Sequence, residues 1–562
     1  MRKFLFLFIF VSIYSCKEDK HKSVAPVIVE TDSTSIITDS ISIRVTTFKS
    51  AEVKDFREFI VLDSKYIDVS ELWSSFNNQL EDFSEEDYNR LKPLILEQDI
   101  LTLQQHITES KLSYEQLTKF YLYRIRKFDR ENELSLNSII SLNPEVINHA
   151  KQKDLELANT SKKHPIFGMP MLLKDNVNAS GMPTTAGAVV LKNNITDDAF
   201  IVNQLKSKGA LILGKTNLSE WAYFFCGDCP SGYSAIGGQT LNPYGRRVFD
   251  TGGSSSGSGV AMAANFAVAA IGSETSGSIL SPSSANSIVG LKPTIGLVSR
   301  SGIVPISSTL DTAGPMTKNV MDNAIVLDAL FGEDLSDSKS IYALWLNGFY
   351  YENLQQSNSL KGKRFGVFKR IMEDSLYANA LEDIKKLGAQ IVEVEEGARQ
   401  LPNFINLLNL DMKNDLPKYL DTYANSSIQV MSVSEVIAFN KTDSLAIMPY
   451  GQKLFNGIVA DDGDEAFLMA IKDSLKTRGK SYFDIPRKTH KLDGFLSINN
   501  YHAGLAAVAE YPAITVPMGY DINGKPKGLT FIGKRLEEKQ LLEYAFIYEQ
   551  ATMKRLTPKN YD

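Results

Sequence analysis

Cysteine is scarce in this chain, with three residues among 562, and histidine numbers only six. Cys226-Gly-Asp-Cys229 is a lone C-x-x-C pair, with neither a second pair nor a histidine cluster to supply the four ligands of a structural zinc site. No metal and no cofactor is therefore expected. In an exported protein such a pair either closes a disulfide or stays as two thiols, and both readings stand. Long basic runs are also missing. Sixty lysines and arginines against 66 aspartates and glutamates give a net charge of −6, which speaks against a nucleic-acid partner. The apolar run from Phe4 to Tyr14 is too short to cross a membrane as a stable anchor.

That run carries information of another kind. Met1-Arg-Lys3 followed by Phe4 to Tyr14 has the charged and apolar regions of an export signal. Ile13-Tyr-Ser-Cys16 then resembles the lipobox of bacterial lipoproteins, in which the cysteine is lipidated and becomes the first residue of the mature chain. A plain secretory signal with an incidental cysteine is the alternative. The expected organisation is a signal peptide over 1–16, a flexible Ser/Thr/Val/Asp-rich tether over 17–50 and a helical extension over 51–95. The catalytic domain follows over 96–560. Ile41–Thr47 has the composition of a short strand inside the tether. The reading places the protein in the bacterial cell envelope, held to the membrane by lipid on Cys16.

Content of 43% hydrophobic and 22% charged residues suits a large domain with a sizeable core. Within it, three segments combine hydroxyls, glycines and one lysine: Leu172-Leu-Lys-Asp-Asn176, Thr251-Gly-Gly-Ser-Ser-Ser-Gly-Ser-Gly259 and Glu274-Thr-Ser-Gly-Ser278. An amide carbonyl is a poor electrophile and a serine hydroxyl a weak nucleophile, so cleaving an amide needs a base and donors for the developing oxyanion. Lys174 can act as base only when neutral, and burial among its apolar neighbours favours that form. The bland reading is a surface lysine ending a strand. A flexible linker is the bland reading of the glycine–serine stretch. It fails because the stretch runs into a predicted helix at Val260–Ala264 and a buried strand at Phe266–Ile271.

On these segments the chain resembles the amidase signature family, whose hallmark is a GGSSxGS stretch followed by a GSxTxGS-like turn. Further blocks agree, among them Leu136-Asn-Ser-Ile-Ile140, Lys215-Thr-Asn-Leu-Ser-Glu220, Gly290-Leu-Lys-Pro-Thr294, Asp311-Thr-Ala-Gly-Pro-Met316 and Tyr511-Pro-Ala-Ile-Thr-Val-Pro517. The resemblance implies an α/β fold with a mixed central β-sheet covered on both faces by α-helices. It implies amide hydrolysis with Lys174 as base, Ser254 as relay after a cis peptide bond from Gly253, and Ser278 as the acylated nucleophile. The oxyanion hole it implies is the backbone N–H groups of Thr275, Ser276, Gly277 and Ser278, with Ser255 in support. Glu274, Ser256 and Gly296-Leu-Val-Ser-Arg-Ser-Gly302 look most like the peptide amidase branch, which points to small amides or peptide C-terminal amides as substrate. Two departures stand out: Leu280 replaces an arginine found in many members, and Ser276 replaces a glycine. In the family the Cys226 segment lies in a loop near the substrate entrance.

Four rivals remain. Gly253-Ser-Ser-Ser-Gly257 fits the G-x-S-x-G elbow of α/β-hydrolases with Ser255 as nucleophile, but Asn242-Pro-Tyr-Gly-Arg-Arg247 makes a poor preceding strand. Only His490 and His502 lie downstream, and both read as surface or helix-packing residues. A phosphate loop is weaker, since no lysine follows the last glycine. An amidase-like protein that binds a ligand without turnover has no need of Lys174, Ser254 and Ser278 together. A glutaminase-type subunit for aminoacyl-tRNA amidation has cytoplasmic partners, against the export signal. The family blocks vanish between about 335 and 491, where Phe365–Phe368, Leu376–Lys386 and Gln390–Val394 read as a β-α-β unit covering the site and shaping its entrance.

Overall fold

The computed structural model describes residues 58–130, 133–157, 162–341, 348–356 and 358–562. The export signal, Cys16, the tether and its Ile41–Thr47 segment lie outside these residues.

Thirteen strands are present among the described residues: β1 (Ile139–Leu142), β2 (Pro170–Lys174), β3 (Leu211–Thr216), β4 (Tyr233–Ser234), β5 (Gly238–Gln239), β6 (Ala269–Glu274), β7 (Val289–Lys292), β8 (Thr312–Thr317), β9 (Arg364–Phe368), β10 (Gln390–Val394), β11 (Gly494–Ile498), β12 (Ala513–Tyr520) and β13 (Pro526–Ile532). Eleven form one sheet in the order β1-β3-β2-β6-β8-β7-β12-β13-β11-β9-β10, and β4 pairs with β5 alone. The sheet is mixed. β3, β2 and β6 run parallel, as do β11, β9 and β10, while the pairs between β6 and β11 are antiparallel. Every residue of β2, β3, β6, β7 and β8 is buried. Since neighbouring residues of a strand face opposite sides, both faces of the sheet are covered.

The helix after the glycine–serine stretch spans Ser256–Ala263. Gly257 is required there: a Cβ would stand 2.4 Å from the Asn217 carbonyl oxygen, which accepts the Gly257 N–H at 3.0 Å. The strand expected at Phe266–Ile271 is observed three residues later. Asn265 turns at φ 57° and the Phe266 N–H closes back on Ala261, so residues 265–268 make the bend and β6 continues to Glu274. Polar Ser273 and Glu274 extend the strand because their side chains find partners inside the site.

N-terminal to the sheet, helices occupy Val69–Ser74 and Glu85–Ile95. Asp68 caps the first and Ser84 with Asp87 forms a capping box on the second, while residues 58–68 are irregular. The β-α-β unit of β9, the helix Ser375–Lys386 and β10 is present, with its strands parallel. It sits at the far edge of the sheet, several strands from β2 and β6, and so does not cover the site. The long helix Phe404–Tyr423 of the same region does that instead.

Candidate active site

β2 ends at Lys174, beside β6 in parallel register with Leu173 opposite Ile271. That register carries Lys174 to Ser273 near the end of β6. Lys174 Nζ lies 2.8 Å from Ser254 Oγ, 2.9 Å from Ser273 Oγ and 3.2 Å from the Ser273 carbonyl oxygen. The amine has no exposure to solvent, and this burial pushes it down to about 7, against the opposing pull of Asp311 and Glu274. Three neighbours suit a neutral amine. It has two N–H groups for the two Ser273 oxygens and one lone pair, which can accept the Ser254 hydroxyl hydrogen.

Ser254 follows a cis peptide bond from Gly253. Its carbonyl accepts the Ser219 N–H at 3.0 Å. The next residue joins the serine stretch to the later turn. Ser255 donates its N–H to the Ser278 carbonyl at 3.1 Å, and its hydroxyl donates to the Ser273 carbonyl at 3.0 Å while accepting the Ser273 N–H at 3.2 Å. Ser255 therefore stands at the start of the helix Ser256–Ala263 without capping it, its hydroxyl spent on β6. Ser254 is fully buried, whereas Ser278 keeps 9% exposure.

The turn after β6 is shaped by Glu274. One carboxylate oxygen accepts the Gly277 N–H at 2.7 Å, and the other accepts those of Ile279 and Leu280 at 2.8 and 3.0 Å. Of the four N–H groups expected in an oxyanion hole, that of Gly277 is committed to Glu274. Those of Thr275, Ser276 and Ser278 are not. Gly277 itself turns at φ +90°, the left-handed region open to glycine. Leu280, in place of the arginine of other members, is buried and begins the helix Leu280–Ala285.

Ser273 and Asn176 are site residues that the sequence pattern does not single out. Asn176 donates its amide to Ser273 Oγ at 2.9 Å, and its buried Oδ1 has no partner among the described residues. The one signal for Ser273 is a lone hydroxyl closing an apolar strand, and for Asn176 its place two residues after Lys174. Behind the site, Lys215 and Asp175 form a fully buried pair at 3.1 Å. Burial pushes the lysine down and the carboxyl up, each opposed by its partner.

A cavity of about 540 Å³ adjoins the turn at Asn176, Ser273 and Thr275. One wall is the segment 303–308; another is the helix Phe404–Tyr423, through Asp415, Tyr419 and Tyr423. Ala222, four residues before the Cys226–Cys229 disulfide, also lines it. Arg300 on the rim is held by both oxygens of Asp337 and by the Ser308 carbonyl. Among the described residues no group of three or more His, Cys, Asp or Glu side chains is arranged to hold a metal.

The amidase family model matches residues 116–542. The chain belongs to the amidase family. A protein of Arabidopsis thaliana described as a probable amidase is 35% identical over 466 residues, covering 80% of this chain and 89% of the relative. A crystal structure of an amidase family protein from Bacillus anthracis is 36% identical with a TM-score of 0.84, covering 88% of this chain and 99% of that one. The native peptide amidase of Stenotrophomonas maltophilia is 38% identical with a TM-score of 0.76, covering 82% and 98%. This amidase-family chain thus has the α/β fold its motifs implied, and a peptide amidase stands among its structural neighbours.

The nucleophile-elbow rival finds no support in the amidase-family fold. Among the described residues no strand leads into Ser255, and its hydroxyl is sealed against β6. His502 bonds Ser497 Oγ at 2.6 Å and approaches Glu396 at 3.4 Å, a serine–histidine–acid chain remote in sequence from Ser255. Ser497 is fully buried in β11 and burial drives the His502 ring down to about 4, so this chain packs helix Ala503–Val508 and offers no nucleophile.

Proposed function

We propose that the protein hydrolyses a carboxamide through an acyl-enzyme on Ser278, with Ser254 relaying the proton to Lys174. The observation that carries this is the Lys174 environment: a fully buried amine whose hydrogen-bond partners among the described residues are Ser254 and Ser273. As Ser278 Oγ attacks the carbonyl carbon, its proton passes to Ser254 Oγ while the Ser254 proton passes to the Lys174 lone pair. The oxyanion is held by the N–H groups of Thr275, Ser276 and Ser278. The proton returns by the same route to the leaving amine, the C–N bond breaks, and water hydrolyses the ester by the reverse relay.

A small amide or a peptide C-terminal amide suits the cavity, whose volume of about 540 Å³ falls within the ordinary range for small-molecule sites. A screen for release of ammonia or amine from amino-acid amides, peptide amides and fatty amides tests this reading. Turnover in the first two classes is expected. Hydrolysis of none of the three would return the protein to the ligand-binding alternative, and glutamine hydrolysis alone to the glutaminase alternative.

The same proposal places the enzyme in the bacterial cell envelope, tethered by lipid on Cys16. Mass spectrometry of the mature N-terminal peptide is expected to find Cys16 first and acylated. An unmodified N-terminus at another residue would reject the tether and leave the chemistry untouched.

A further inference from the structure

Two carboxylates, Glu274 and Asp311, grip the turn that carries Ser278. Glu274 holds its second half, at Gly277, Ile279 and Leu280. Its first residue, Thr275, is held by Asp311, which lies next to the start of β8. Asp311 Oδ1 accepts the Thr275 hydroxyl at 2.5 Å, and Oδ2 accepts the N–H groups of Ile306 and Ser307 at 2.8 and 2.9 Å. One carboxyl group thus ties the oxyanion turn to the cavity wall. The wall is tied onward to the helix Phe404–Tyr423: Ser307 Oγ donates to Asp411 at 2.5 Å and the Ser308 N–H to Asp415 at 2.7 Å.

We propose that Asp311 is a positioning residue for amide hydrolysis: by clamping the Thr275 side chain to the 306–307 wall, it aims the Thr275 N–H at the acyl oxygen. This rests on the Ser278 acyl-enzyme reading above. Thr275 follows the last residue of β6, where the ladder no longer fixes the backbone, and its hydroxyl bond to Asp311 is the only side-chain bond it makes among the described residues. A donor displaced from the oxyanion's position loses most of its effect, because electrostatic stabilisation depends on dipoles fixed before the charge develops. The clamp also sets substrate shape beside the reacting atoms, since Thr275, Ile306, Ser307 and Asp311 all line the same cavity.

The test is a double-mutant cycle of Asp311→Asn and Thr275→Val, with Thr275→Ser as the conservative variant, assayed on the best amide from the screen. Asparagine keeps the shape but cannot accept from the hydroxyl and both N–H groups at once. Each of Asp311→Asn and Thr275→Val is expected to lower kcat by about 10- to 100-fold with KM within about threefold of wild type, somewhat below the loss of an entire oxyanion donor. The double variant is expected to be no slower than the slower single, and Thr275→Ser to retain kcat within about threefold. Losses that multiply, a loss confined to KM, or Thr275→Ser as slow as Thr275→Val would overturn the proposal. Should Asp311→Asn not fold, the two Thr275 variants decide alone: a slow valine with a competent serine upholds the clamp, and equal rates reject it. An inactive wild type removes the acyl-enzyme reading and the clamp together, whereas an active wild type with an additive cycle removes only the clamp.

Discussion

Ser278→Ala is expected to abolish turnover, with a fall in kcat on the order of 10⁶-fold if Ser278 behaves like the nucleophile of other serine hydrolases. A fluorophosphonate probe should label the wild-type protein at Ser278 and leave Ser278→Ala unlabelled. The expectation follows from exposure and connectivity. Ser278 keeps a little exposure where Ser254 has none, and its carbonyl is fixed by the Ser255 N–H. Ser255→Ala should weaken the enzyme moderately, since it removes a hydroxyl that spans the Ser273 carbonyl and N–H. Labelling that persists in Ser278→Ala but vanishes in Ser255→Ala would overturn the assignment and revive the elbow.

Lys174→Ala is the second large effect, with an expected loss on the order of 10²- to 10⁴-fold, the usual range for removal of a general base. Its signature is the pH profile. Lys174 must be neutral to accept a proton, and burial brings it down to about 7. In the wild type kcat/KM should therefore be level above pH 7 and fall about tenfold per unit below it. The sign is that of a required base: protonation removes activity. In Lys174→Ala the limb near 7 should be gone, leaving only what Asp311, pushed up by burial to about 6, contributes at lower pH. A profile in Lys174→Ala with the wild-type limb, or near-normal turnover at neutral pH, defeats the relay.

The proposed reacting side chains are legible in the sequence because each lies in a compact segment that resembles a motif of the family. Lys174 follows two leucines, and Ser254 and Ser278 each sit next to a glycine, in segments that resemble the family's motifs. The partners that tune them are not legible, since they are defined by neighbours far along the chain. Ser273 meets Lys174 only through the β2–β6 register, and Asp311 meets Thr275 only because β8 pairs with β6. The β-α-β unit shows the same limit. Periodicity marks its elements but not its place, and strand order puts it at the sheet edge instead of over the site. The commitment of the Gly277 N–H to Glu274 is likewise a matter of a side chain folding back on its own turn, which motif spacing does not encode.

A lysine that must stay neutral is also a weak point in the fold. Between about pH 7 and its ordinary 10.5, the unfolded chain takes up a proton at Lys174 that the folded chain refuses. Stability therefore rises with pH through that window, by about 1.4 kcal/mol per pH unit, and the penalty is fully present below it. Lys174→Met, apolar and of similar length, should melt higher at neutral pH and lose this slope while losing its activity. A falling pH thus acts on this protein twice, first by loosening the sheet that keeps the amine dry and then, below about 7, by silencing the base.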